Sequence, residues 1–268
     1  MNQGSPLQDK LSSEHLDGFS LIVPAYNEES RLPRTLQKYL DALERVGWPF
    51  EVIVVSDGTR DRTSEVAKMF QNRGVKVLEF GRKLGKGGAV MAGLHSAIYN
   101  YVGFVDADGP IPPHDLLGLA RLLENVDCVV ASRWTKGSAV LRNEPLFNRF
   151  VGRAWNIMVR SLLFLPFHDT QCGAKFVRRA VIKPTLKAVD LTNRAFDVSF
   201  LYHIKKGGFR MIEVPVTWTH DPDTRMPIGK AIPIMMLSLV GIRLMNLPLA
   251  YRIPETFVKI FKKLGGSA

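Results

Sequence analysis

The chain has 268 residues, 46% of them hydrophobic and 23% charged. That composition excludes intrinsic disorder, collagen-like repeats and a disulfide mini-scaffold, and leaves one large globular domain with at most an appendage. Lysine plus arginine number 36 against 25 acidic residues, a net charge of +11, which suits an anionic partner: phosphates, nucleic acid or an acidic membrane surface.

Residues 1–18 are polar and of mixed charge, without the apolar run of a signal peptide or anchor, and read as a mobile tail. From residue 20 to 133 short apolar runs alternate with amphipathic stretches, as successive βα units on a mostly parallel sheet require. Strands are expected over 20–24, 51–56, 75–80, 101–106 and 127–132. Between them, Leu32, Leu36, Tyr39, Leu40 and Leu43 recur at helical spacing, and Asp61 or Thr63 is placed to cap a helix carrying Val66, Ala67 and Phe70. This order brings the loops 24–28, 56–59 and 106–108 to one sheet edge, where ligands bind in open α/β folds.

After Arg133 the alternation stops. Over 146–167, Phe147, Phe150, Trp155, Met158 and Leu162 interleave with Arg149, Arg153 and Arg160, a helical pattern suited to lipid headgroups. A short strand over 175–177, a helix over 196–206 and a strand over 210–218 are expected to complete the sheet. The apolar segment 231–250 contains Pro233, Arg243, Asn246 and Pro248, which favours lying on a membrane over spanning it. The domain is drawn at 19–225, with 226–268 as a membrane-facing appendage. Cys128 and Cys172, the two cysteines, lack metal-ligand spacing and read as ordinary thiols of a reducing compartment.

Asp106-Ala107-Asp108 closes an apolar strand, and two carboxylates one residue apart can share a hard divalent cation, Mg²⁺ or Mn²⁺, with a diphosphate. A solvated turn is the competing reading of Asp-x-Asp. Asp57 and Glu28 belong to neighbouring strand ends where a nucleoside needs acceptors. Gly85-Lys86-Gly87-Gly88 precedes a helix, so its amides and Lys86 are candidates for a phosphate, although the Walker spacing is absent. Arg133, Arg142, Arg149 and Arg153 form either a solvated basic face or a site for an anionic acceptor.

These motifs resemble a known family. Val23-Pro24-Ala25-Tyr26-Asn27-Glu28-Glu29, Ser56-Asp57-Gly58-Thr59 with Asp61 and Thr63, and Asp106-Ala107-Asp108-Gly109 stand in the order and spacing of the inverting family-2 glycosyltransferases, whose fold is the nucleotide-diphospho-sugar transferase fold called GT-A. Arg31-Leu32-Pro33, Gly85-Lys86-Gly87-Gly88-Ala89, Asp169-Thr170-Gln171-Cys172-Gly173 and Ala195-Phe196-Asp197-Val198 are most similar to its dolichyl-phosphate β-glucosyltransferase branch, with the dolichyl-phosphate mannose synthases as siblings.

The resemblance implies transfer of a hexose from a nucleotide diphosphate, UDP-glucose first, to a dolichyl or polyprenyl phosphate at the cytoplasmic face of a membrane. It implies that Pro24, Tyr26, Glu28 and Asp57 hold the nucleoside, with Lys86 and Gly87 beside the nucleotide sugar. Asp106 and Asp108 then hold the metal and diphosphate, Arg133, Arg149 and Arg225 meet the acceptor phosphate, and Asp197 joins Asp106, Asp108 and Arg133 in catalysis. Asp169 and Gln171 match pocket positions that buried polar supports explain nearly as well. The family's Asp-Asp-Gly-Ser stands here as Ser56-Asp57-Gly58-Thr59, one carboxylate short. The alternatives are mannosyl transfer from GDP-mannose, a soluble acceptor, or a nucleotide-sugar-binding module without catalysis. Nucleic acid ranks last, because the basic residues gather near apolar segments, with no aromatic-interleaved strand platform or recognition helix.

Overall fold

The computed structural model describes residues 17–142, 146–189, 193, 195–219 and 228–246. Its main sheet has seven strands in the order β3-β2-β1-β4-β7-β5-β8. These are β1 (Phe19–Ala25), β2 (Phe50–Asp57), β3 (Val75–Phe80), β4 (Tyr101–Phe104), β5 (Cys128–Ser132), β7 (Lys175–Arg178) and β8 (Met211–Pro215). Only β7 runs against its neighbours β4 and β5. The two remaining strands, β6 (Ala139–Arg142) and β9 (Thr217–Thr219), pair in parallel as a separate small sheet.

Both faces of the main sheet are covered, and the strand residues sort by period two. Leu21, Val23, Val52, Val54, Val129 and Ala131 enter one core, while Ile22, Ile53, Val55, Val102, Phe104 and Val130 enter the other. Near-continuous apolar runs such as Val52–Val55 therefore mark strands buried on both sides. Helix α1 (Leu32–Val46) lays Leu32, Leu36, Tyr39, Leu40 and Leu43 on the first face and stops at Gly47, whose φ of 74° suits a left-handed cap. That face also takes α4 (Pro113–Leu122) through Leu116 and Leu119. The second face carries α3 (Gly85–Ser96), α5 (Leu146–Leu163), α6 (Arg179–Leu186), α7 (Phe196–Lys206) and α8 (Ile228–Met245). The short α2 (Thr63–Lys68) packs beside α1 and β3.

Several expectations are met closely, α7 to the residue. Others are corrected. The strand expected over 101–106 leaves the ladder after Phe104, because the chain turns at Asp106 toward Gly109, whose φ is 61°. The run 210–218 is two strands: Pro215 ends β8 on the main sheet, the Val216 N–H donates to the Ser132 carbonyl, and β9 continues on the small sheet. Helix α5 ends at Leu163, four residues short of the expected end, where Phe164 takes a φ of 54°. Among the described residues no helix is long and apolar enough to cross a membrane.

Candidate active site

The loops after β1 and β2 are laced into one surface. The Glu28 N–H donates to Thr63 Oγ1 at 2.7 Å, the Glu29 N–H to Asp61 at 3.1 Å, and the Arg60 N–H to Asn27 Oδ1 at 2.9 Å. Asp61 also accepts from the Thr63 hydroxyl and N–H. Burial alone would raise its carboxyl, but these donors outweigh that and hold it below the ordinary range. Glu28 grips Arg31 through two bonds of 2.7 Å, and Lys83 sits over the Tyr26 ring, 4.1 Å from its centroid. Pro24, in register with Val55, closes this edge. Ser56, where the family places an acid, is buried with its hydroxyl 3.0 Å from that of Thr59 and accepting from Ser64 at 2.6 Å.

Asp57 is buried and caps α3: its two oxygens accept the N–H groups of Leu84 and Gly85. A carboxylate there suits the positive end of the helix dipole. The helix begins at Gly85 itself, so Gly85-Lys86-Gly87-Gly88 is its first turn with Gly87 buried, and one of the amides expected to face a phosphate, that of Gly85, is spent on Asp57.

Lys86 projects from that turn toward two acids. Its Nζ lies 2.9 Å from Asp106 Oδ1 and 3.6 Å from Asp197 Oδ2. The other Asp197 oxygen accepts a 2.7 Å bond from Lys175, a fully buried lysine that also donates to the Cys172 carbonyl. Burial by itself would raise the Asp197 carboxyl, but Lys175 and then Lys86 overcome it and hold the acid below its ordinary value. Asp197 is thus a charged anchor, unsuited to taking up a proton near neutral pH.

Asp106 and Asp108 are set by the turn that follows β4. Tyr39 donates to the Ile111 carbonyl at 2.9 Å and the Thr219 N–H to that of Pro110 at 2.9 Å, which ties this turn to α1 and β9. Burial first, then the charges of Asp108 and Asp106, drives the Tyr39 phenol far above its ordinary value, so it stays a neutral donor. Gly173 packs on Asp106: a Cβ at that glycine would lie 2.0 Å from Asp106 Oδ2. No cluster of three or more His, Cys, Asp or Glu side chains able to hold a metal exists among the described residues. The donor set fits a hard divalent cation that shares two protein carboxylates with a ligand's diphosphate, the arrangement Mg²⁺ favours.

On the far side of the 169–173 loop, Asp169 is wholly buried and clamps Arg133 through Nε at 2.7 Å, Nη2 at 3.0 Å and the backbone N–H at 3.0 Å. The guanidinium lies between Trp134 and Trp218, 5.2 and 5.1 Å from their rings. These three side chains, with Arg149, Arg153 and Val140, line a cavity of about 160 Å³. The expected pair Arg133 and Arg149 therefore meets, and Arg153 joins them. Sequence reading missed the tryptophan walls and Lys175; a lysine between Ala174 and Phe176 in an apolar strand was the available signal. Arg225 lies outside the described residues. Asp169 serves as the buried support of Arg133, and His168 pairs with Glu213 at 2.9 Å.

Comparison with known proteins points to one family and one fold. The family model described as Glycosyl transferase family 2 matches residues 20–186. Dolichyl-phosphate beta-glucosyltransferase of Drosophila melanogaster is 35% identical over 236 residues, covering 82% of this chain and 71% of that protein. The Mus musculus protein of the same name is 32% identical, covering 88% and 78%. Polyprenol monophosphomannose synthase of Mycolicibacterium smegmatis is also 32% identical, covering 74% and 76%. Among solved structures, mannosyl-3-phosphoglycerate synthase of Rubrobacter xylanophilus superposes with a TM-score of 0.65 at 19% identity, covering 89% and 76%. Glucosyl-3-phosphoglycerate synthase of Mycobacterium tuberculosis, solved with Mn²⁺, UDP and glucosyl-3-phosphoglycerate, gives 0.59 at 17%, covering 85% and 79%. These likenesses fix the GT-A fold.

Proposed function

The chain belongs to glycosyl transferase family 2, and from that premise we propose that it moves glucose from UDP-glucose to a dolichyl or polyprenyl phosphate, with inversion, at the cytoplasmic face of a membrane. One observation carries the reading: the 169–173 loop joins the two halves of the site. At one end Asp169 holds Arg133 in the basic cavity, and at the other Gly173 abuts Asp106. A phosphate bound by the arginines and a diphosphate bound at Asp106 are thereby brought to a shared edge.

The chemistry follows from charge. A phosphate monoester is already anionic near neutral pH, so positioning it counts for more than deprotonating it. Asp169 neutralises Arg133, which leaves Arg149 and Arg153 as the cations matched to a phosphate dianion, with Trp134 and Trp218 as walls for the adjoining lipid carbons. A divalent cation bound to Asp106 and Asp108 supplies neutralisation of the negative charge that grows on the departing diphosphate. Lys86 adds a further positive charge beside that group, where it is worth most.

The membrane side of the proposal rests on α5. Phe150, Ile157 and Phe164 follow one another every seven residues and are 72%, 64% and 63% exposed; Leu237 and Val240 of α8 are exposed as well. Arg160 lies in the same stretch, as on helices that settle at a headgroup boundary.

The test is transfer of label from UDP-glucose and from GDP-mannose to a short polyprenyl phosphate with Mg²⁺ or Mn²⁺, comparing the native chain with Asp108→Ala. Glucose transfer lost in the variant is the expected result. The likeness to a phosphomannose synthase favours mannose as the second reading, and a mannosyl product would establish it. Donor turnover without any lipid product would move the acceptor assignment to a soluble phosphate.

A further inference from the structure

Lys86 occupies a position that a diphosphate ligand alone does not explain. Its ammonium touches Asp106 Oδ1, while the other oxygen of that carboxylate is backed by Gly173 so closely that no Cβ fits there. Gly173 packs against the second oxygen, so a divalent cation that takes Asp106 through Oδ1 meets the Lys86 ammonium there. Two cations on one carboxylate oxygen repel strongly in a partly buried site. A second acceptor lies within reach, because Asp197 Oδ2 is 3.6 Å from the same ammonium while its Oδ1 is already held by Lys175.

We infer that Lys86 is a tethered stand-in for the divalent cation: it neutralises Asp106 until a metal arrives and swings onto Asp197 when the metal binds. The inference rests on the cation reading of Asp106 and Asp108. The exchange keeps Asp106 neutralised before donor arrival. In the loaded site it also places the Lys86 charge against Asp197, which then has an ammonium on each oxygen. Lys86 is in this sense a positioning residue for Asp197 as well as a competitor for the metal. Linkage sets the sign of each effect: a competitor lowers apparent metal affinity, and a landing partner for the competitor raises it.

The experiment is Mn²⁺ binding to the full chain without nucleotide, read by loss of the free-ion electron paramagnetic resonance signal, which needs no turnover. Lys86→Met is expected to tighten Mn²⁺ binding about threefold to tenfold, the scale of a half-exposed ion pair. Asp197→Asn is expected to weaken it by a similar factor, and that weakening is expected to shrink to near nothing in the Lys86→Met background. Unchanged or weaker binding in Lys86→Met overturns the exchange, as does an Asp197→Asn penalty of equal size with and without Lys86. Because Asp197→Asn strips the counter-charge from buried Lys175, folding of each variant is checked by circular dichroism. If that variant does not fold, the Lys86→Met arm decides alone. Asp108→Asn separates the two levels: it should abolish Mn²⁺ binding in either background. If it leaves binding intact, the cation reading itself fails; loss there with no gain in Lys86→Met removes only the exchange.

Discussion

Lys175 of β7 and Asp197 of α7 face each other at 2.7 Å with neither side chain more than 2% exposed. The pair fastens the reversed strand to the helix that also carries Phe196 and Phe200 against Phe104. It sits directly behind the site, since the remaining Asp197 oxygen looks toward Lys86.

Breaking this pair from one side leaves a buried charge without compensation. Lys175→Met is expected to cost about 3–5 kcal/mol in urea unfolding, whereas Lys175→Met combined with Asp197→Leu should recover a large part of that loss. A single substitution within about 1 kcal/mol of the native chain would falsify the buried-pair account. The acid dependence has a definite sign. Asp197 is held below its ordinary value of 3.8, so its stabilisation is full above that value and is lost as pH falls through the lower folded value. Unfolding measured from pH 6 down to pH 2 should show a shallower acid limb in Asp197→Asn than in the native chain.

The strand-helix alternation up to Arg133 was legible because it is local. Leu32, Leu36, Tyr39, Leu40 and Leu43 mark α1, and both-sided burial makes β1 and β2 continuous apolar runs. What escaped was set by distant partners. Pro215 interrupts what reads as one alternating run because residues 217–219 pair with Ala139–Arg142 far upstream. Helix α6 is short and contains Pro184, so its pattern is weak. At the site, residue types were legible and their partnerships were not: the Leu84 and Gly85 amides that reach Asp57, and the Arg133 guanidinium that closes on Asp169, come from segments far away in the chain.

In the basic cavity, the Asp169 clamp makes Arg133 a fixed wall and leaves Arg149 and Arg153 to answer for acceptor charge. Arg149→Ala and Arg153→Ala should each raise the KM for polyprenyl phosphate by about tenfold or more, the worth of a hydrogen bond to a charged group, while donor binding measured by calorimetry with UDP and Mn²⁺ stays within about twofold. Equal loss of donor binding would place these arginines at the diphosphate instead.

Cys128 and Cys172 are buried free thiols, and burial pushes both up to about 12. Thiolate is the reactive form. At pH 8 the native chain should react with a thiol-selective chromogenic disulfide at less than about a hundredth of the rate seen in denaturant, and rapid labelling of either cysteine in folded protein would contradict the packing described for β5 and the 169–173 loop.

Phe164 offers a way to test the membrane surface without unfolding it. A bulky residue in the left-handed region is strained, yet here it closes α5 with its ring 63% exposed and Arg243 at 5.2 Å from the ring centroid. Glycine relieves that strain by about 1 kcal/mol, which offsets loss of the cation-ring contact of about 0.5–1 kcal/mol. Phe164→Gly should therefore keep or slightly raise the unfolding midpoint. Its affinity for vesicles of mixed neutral and anionic phospholipid should drop by about tenfold to a hundredfold, since an inserted aromatic side chain contributes about 1.5–3 kcal/mol. Combining it with Ile157→Ser, on the same face of α5, should abolish flotation with such vesicles while transfer to a detergent-dispersed short-chain acceptor persists. Full flotation of the double variant would move membrane contact away from α5 to another part of the chain.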